Sequence, residues 1–162
     1  MIGKRRKDVL HVFLDVDGVL NKESDWKMRY TIDDSCVKVL ALIRDKMLQY
    51  YNQVIFVLTS TWRMGLTNKG ERLDSSQGSI LLDTLKREGI VITGSTPVLN
   101  NNRQAEIKSY ITRNNVEDAI VIDDDPRLFT DMTSLNVYVP NYKTGLTTSD
   151  IKQIEKMIRR LL

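Results

Sequence analysis

Cysteine is nearly absent from this sequence. Cys36 stands alone, so no disulfide can close within the chain, which fits a reducing cytosol. Histidine is as scarce: His11 is the only one and falls inside a predicted strand, which leaves Cys36 without an activating base. Both residues read as packing groups, and cysteine–histidine nucleophilic chemistry drops out. No apolar run approaches the roughly 20 residues that span a bilayer. The basic start, Met1 to Lys7, leads into an apolar stretch that soon meets Asp15 and Asp17. That stretch is too short and too acidic for a signal-peptide core, so a cytoplasmic protein without membrane contact is expected. Glycine and proline are few, and no repeat, low-complexity segment or long linker divides the chain. One domain over 1–162 is expected, with a basic tail over about 1–7. With 41% hydrophobic and 28% charged residues, the composition is that of an ordinary folded domain. The net charge of +3 is mild. Much of it lies in Lys4-Arg5-Arg6-Lys7 and Arg159-Arg160, read as solvated ends in preference to a phosphate-backbone contact.

Short apolar runs alternate with helical patterns. Val9 to Leu14 predicts a buried parallel strand. Asp33 to Leu48 spaces Val37, Leu40, Ala41, Ile43 and Leu48 as one helix face, with Asp33, Asp34 or Ser35 as cap. Val54–Leu58, Ile90–Ile92, Ala119–Ile122 and Asn136–Val139 predict further strands. Ser79–Glu88, Arg103–Asn114 and Ser149–Leu162 predict helices. This alternation indicates a parallel sheet of about five strands with helices on both faces. In such sheets ligands bind beyond the carboxyl ends of the strands. The polar clusters Asp15-Val16-Asp17-Gly18, Thr59-Ser60 and Asp123-Asp124-Asp125 all fall at those ends.

Carboxylates converging on one edge resist ionisation unless a cation joins them. Oxygen-only ligands favour a hard cation such as Mg2+, which keeps waters and shares phosphate oxygens. A hydroxyl at Thr59 and a nearby basic side chain can hold the remaining phosphate oxygens. One carboxylate can then attack phosphorus, and a second, two residues on, can protonate the leaving oxygen and later activate water. Gly18 would let the backbone turn tightly beside the phosphate.

Phe13-Leu14-Asp15-Val16-Asp17-Gly18-Val19-Leu20-Asn21 resembles the first motif of the haloacid dehalogenase-like (HAD-like) phosphohydrolases. Leu58-Thr59 resembles their second, and Val121-Ile122-Asp123-Asp124 their fourth, in the family's order. The resemblance implies a Rossmannoid α/β three-layer sandwich and a phosphatase using Mg2+ through an aspartyl-phosphate. It implies Asp15 as nucleophile, Asp17 as general acid and base, and Thr59 as a phosphate ligand with Ser60 beside it. Asp15, the Asp17 carbonyl and the acids Asp123 and Asp124 would hold the metal, without a choice between the last two. Asp125, followed by Pro126, reads as structural. For the basic third motif Arg103 and Lys108 compete. Arg103 opens a crossover helix whose N-terminus lies at the active edge, whereas Lys108 sits about 7 to 8 Å farther along. Arg103 is preferred. The segments Asp17 to Asn21, Thr59 to Arg63, Arg103 to Ile107 and Thr144 to Thr147 resemble, more narrowly, compact HAD domains associated with RNA-repair proteins.

No inter-motif stretch is long enough for a large cap domain. Asn21 to Thr31 would form a small flap and Trp62 to Gly78 a loop, leaving the edge open. A polynucleotide end fits an open edge, with Trp62 stacking on a base and Arg63 clamping a phosphate. Equal weight goes to Trp62 packing under the edge and Arg63 forming a surface ion pair. Trp26 reads as a packing residue. A small nucleotide or sugar phosphate is the alternative substrate. A phosphoacceptor receiver domain fits poorly, because its paired acids should come first. A non-catalytic domain of the same fold finds no support in degraded motifs.

Overall fold

The computed structural model describes residues 5–28, 30–71 and 76–162. Its centre is a five-stranded, all-parallel sheet in the order β3-β2-β1-β4-β5. The strands are β1 (Lys7–Leu14), β2 (Tyr51–Leu58), β3 (Ile92–Ser95), β4 (Asp118–Ile122) and β5 (Val137–Tyr138). Helices α1 (Asp34–Met47), α2 (Ser76–Arg87), α3 (Arg103–Arg113), α4 (Met132–Leu135) and α5 (Ser149–Arg159) provide the flanking layers. The expected three-layer α/β sandwich is therefore what forms. Among the described residues no helix is long and apolar enough to cross a membrane.

The period-two alternation of a strand sorts the apolar runs between two cores. Leu10, Val12 and Leu14 of β1 join Phe56, Leu58, Ile120 and Ile122 in a core covered by α1, α2 and α5. Phe13, Val57 and Val121 face the other way, onto Ile107 of α3 and Leu135 of α4. Phe13 meets Tyr110 edge-on at 5.5 Å, a contact worth about 0.5–1.5 kcal/mol beyond its buried area. His11 lies against the same ring at 6.4 Å, and burial lowers its pKa. Cys36 is buried on α1, and burial raises its thiol pKa to about 11.

Several boundaries differ from the sequence reading. The third strand starts at Ile92, not Ile90, because Gly89 ends α2 with φ of 71° and Ile90 turns into the core. Helix α2 starts at Ser76, inside the stretch read as a loop, and the loop's positions 72–75 lie outside the described residues. The basic tail is shorter than expected. Lys7 already belongs to β1, where its ammonium pairs with Asp118 and donates to the Leu161 carbonyl. Arg6 donates to the Leu48 carbonyl at 3.2 Å. Positions 1–4 of that tail lie outside the described residues. Asp33 is the cap of α1, its carboxylate accepting from the Ser35 N–H at 2.9 Å.

Candidate active site

Register alone brings three polar residues together. Leu14 pairs with Leu58 on one side and Ile122 on the other. The residue after each strand, Asp15, Thr59 and Asp123, therefore sits beside its neighbour. The Asp15 N–H donates to the Ile122 carbonyl at 3.0 Å, and the Thr59 N–H to the Leu14 carbonyl at 2.9 Å. The chain runs outward from β1 to β3 and returns to β4 on the opposite side, so the strand order reverses at β1 and β4. Ligand sites of open α/β sheets form at such reversals.

Asp15, Asp123 and Asp124 each offer a carboxylate oxygen within 4.8 Å of the others. Burial raises the pKa of all three. For Asp15 the charge of Asp123 adds to burial, and Arg103 opposes both. The donor set is all oxygen, crowded and short of positive charge, which fits a hard divalent cation. Arg103 brings a guanidinium to the centre of this group. It opens α3, whose first turn Asn102 caps by accepting from the Ala105 N–H at 3.0 Å. Its Nη1 donates to Asp123 Oδ2 and lies 3.4 Å from Asp15 Oδ1. Lys108, the competing candidate, instead pairs with Asp131 at 3.1 Å.

Asp17 is held through one oxygen. Its Oδ1 accepts from Asn21 Nδ2 at 2.8 Å and from Trp62 Nε1 at 3.2 Å. Asn21 Oδ1 in turn accepts from the Gly18 N–H at 2.9 Å. Gly18 has φ of 78°, and a Cβ there would stand 2.3 Å from Asp124 Oδ2. A side chain at this position would both strain the turn and displace a carboxylate of the cluster.

Thr59 Oγ1 is buried and has no hydrogen-bond partner among the described residues. An orphaned hydroxyl costs free energy unless something bonds it, and Thr59 follows the strand end that pairs with the one before Asp15. Ser60 Oγ accepts from the Trp62 N–H at 3.2 Å and so caps a 3-10 helix over Thr61–Gly65. That turn carries Trp62 and Arg63 inward. Trp62 is only 4% exposed, and its role as an open stacking surface is corrected to that of an Asp17 hydrogen-bond donor. Arg63 is buried as well, so neither a phosphate clamp nor a surface ion pair describes it. It donates to the Thr59 carbonyl and to Glu106, a buried acid on α3.

Asp15, Asp17, Ser60, Trp62, Arg103, Asp123 and Asp124 line a cleft of about 1160 Å³. The flap between β1 and α1 holds a 3-10 helix over Glu23–Lys27, with Arg29 outside the described residues. Trp26, read from sequence as packing, is 45% exposed on the cleft wall.

A family model described as the HAD domain in Swiss Army Knife RNA repair proteins matches residues 11–151. The chain belongs to this family. No curated protein matches it. Family membership and the acidic triad together support phosphohydrolase-type chemistry on a phosphorylated substrate at this edge, with a metal site within reach. Sequence reasoning left Asn21 and Glu106 without roles, though each stands inside a quoted motif. Their signal was an amide four positions after Asp17 and an acid three positions after Arg103. Tyr142, also on the cleft wall, carried no local signal.

Proposed function

We propose that this chain is a magnesium-dependent phosphomonoester hydrolase that works through a phosphorylated Asp15, with a polynucleotide end phosphate as its substrate class. The observation that carries the reading is the buried Asp15, flanked by Asp123, Asp124 and Arg103 at a strand end whose neighbour on the sheet ends in Thr59. The family's printed association with RNA repair supports the substrate class. The proposed catalytic unit is one domain over the whole chain.

Asp15 Oδ attacks phosphorus while the ester P–O bond breaks, and the Asp17 carboxyl gives its proton to the leaving oxygen. Water then attacks the phosphorus of phosphorylated Asp15, the Asp17 carboxylate accepts its proton, and inorganic phosphate leaves with Asp15 restored. Thr59 Oγ and Arg103 bind the non-reacting phosphate oxygens, and Ser60 stands next to them. Asn21 and Trp62 fix Asp17 through Oδ1 and leave its other oxygen for proton transfer. Mg2+, when bound, would supply positive charge that offsets the carboxylates and the phosphoryl oxygens. Asp15, the Asp17 carbonyl and Asp124 are the ligands we assign. Asp123 has both oxygens engaged, by the Asp125 N–H and by Arg103, and serves as support.

Hydrolysis of an end-phosphorylated oligonucleotide is expected to stop in excess EDTA and return with added Mg2+. Asp124→Asn is expected to raise the Mg2+ concentration needed or to abolish turnover. Undiminished hydrolysis in excess chelator contradicts the assignment.

A further inference from the structure

Trp26 and Tyr142 come from segments far apart in the chain and meet on the wall of the cleft. Their rings stack with centroids 6.0 Å apart and planes 25° from parallel. That separation is an offset stack, which leaves part of each face uncovered. The two residues are 45% and 39% exposed. The shelf is braced. The Glu23 N–H donates to the Tyr142 carbonyl at 3.0 Å, tying the flap to the loop that carries the tyrosine. That loop is fixed by Gly145, whose φ of 64° brings it against Cys36 and the Asn21 carbonyl, and by the Leu146 N–H donating to Val19 O at 2.9 Å. Trp26 Nε1 donates to Asn21 Oδ1 at 3.0 Å, and Asn21 holds Asp17. A hydrogen-bonded line therefore runs from the shelf to the acid proposed to meet the leaving oxygen.

We propose that the Trp26–Tyr142 shelf is a base subsite: it stacks the nucleobase of the nucleoside whose phosphate enters at Asp15. The inference rests on the phosphatase reading above and names what lies on the leaving-group side of the bond. Flat aromatic faces held rigid beside a phosphate site suit a planar heterocycle. They offer no base-edge pattern, so any base is accepted. Both a free nucleotide and a polynucleotide end present this chemistry. A sugar phosphate without a base would leave the shelf bare.

The test is calorimetric binding to the full chain carrying Asp15→Asn, which does not turn substrate over, in Mg2+. The ligands are 3′- and 5′-adenosine monophosphate, ribose 5-phosphate and a 3′- or 5′-phosphorylated trinucleotide. An adenosine monophosphate is expected to bind about tenfold or more tighter than ribose phosphate, the advantage one stacked base supplies. Trp26→Ala and Tyr142→Ala are each expected to remove most of that ratio, and Tyr142→Phe to retain it. Tyr142→Ala removes neither partner of the Trp26–Asn21 bond, so its loss of base preference is separable from a misplaced Asp17. Equal affinity for adenosine and ribose phosphates overturns the subsite, as does a base advantage that survives both alanine variants. Wild-type hydrolysis of ribose phosphate, measured alongside, reports on the phosphatase reading separately. If it proceeds with Mg2+ while the base adds nothing, the shelf fails and the phosphatase stands. If no phosphate is hydrolysed but the base advantage persists, the reverse holds. Tighter, salt-sensitive binding of the trinucleotide identifies a polynucleotide end, and equal binding a free nucleotide.

Discussion

Asp15 and Asp17 leave the same strand end two residues apart and meet different surroundings. Asp15 is buried among acids and faces Arg103, while Asp17 reaches the cleft with one oxygen bonded to Asn21 and Trp62. If Asp17 carries the proton, its importance should follow the basicity of the leaving oxygen. Asp17→Asn is expected to cost about 100-fold or more in kcat/KM for an alkyl phosphate. The loss should be much smaller for a nitrophenyl phosphate, whose leaving oxygen needs no proton. Trp62→Phe, which removes the N–H donor together with part of the buried indole, is expected to show the same ordering with a loss nearer tenfold. Steady-state kinetics with both esters checks this, and equal losses on the two would argue against Asp17 as the acid.

At the scale of elements, the 3-10 helix Thr61–Gly65 and helix α3 are joined by the buried Arg63–Glu106 pair. Arg63 also bonds the Thr59 carbonyl, so the pair sets the second strand's end against the helix that delivers Arg103. Removing one partner strands a buried charge, and Glu106→Leu or Arg63→Met is expected to cost about 3–5 kcal/mol in urea unfolding. The double replacement Arg63→Met with Glu106→Leu should recover much of that stability, because no charge is left unpaired. Additive losses in the double variant would show that the pair is not a coupled unit. The long elements were legible from sequence because an apolar run buried on both faces has few other interpretations. Asp33 could be seen as one of three caps for α1, and Arg103 as the opening of α3. The 3-10 turns and the four-residue α4 were not legible. Pieces that short are fixed by caps and neighbours, not by periodicity. The inward turn of Trp62 belongs to the same class: it follows from Ser60 capping its N–H, which composition does not announce.

For the whole molecule, the arrangement follows from strand order. Placing β1 between β2 and β4 sets Asp15 between Thr59 and Asp123, and the motif order along the chain anticipated that meeting. The Trp26–Tyr142 shelf was not anticipated, since it depends on a flap and a loop more than a hundred positions apart closing over one edge. In the proposed mechanism Asp15 becomes phosphorylated during turnover. Its direct test is acid quenching of the Mg2+-loaded protein in mid-turnover, followed by peptide mass spectrometry. The expected result is one added phosphoryl group on the peptide containing Asp15, absent in Asp15→Asn and depleted when substrate is exhausted. Rapid turnover by wild-type protein with no phosphoryl group trapped on that peptide, together with retained activity in Asp15→Asn, would contradict the account.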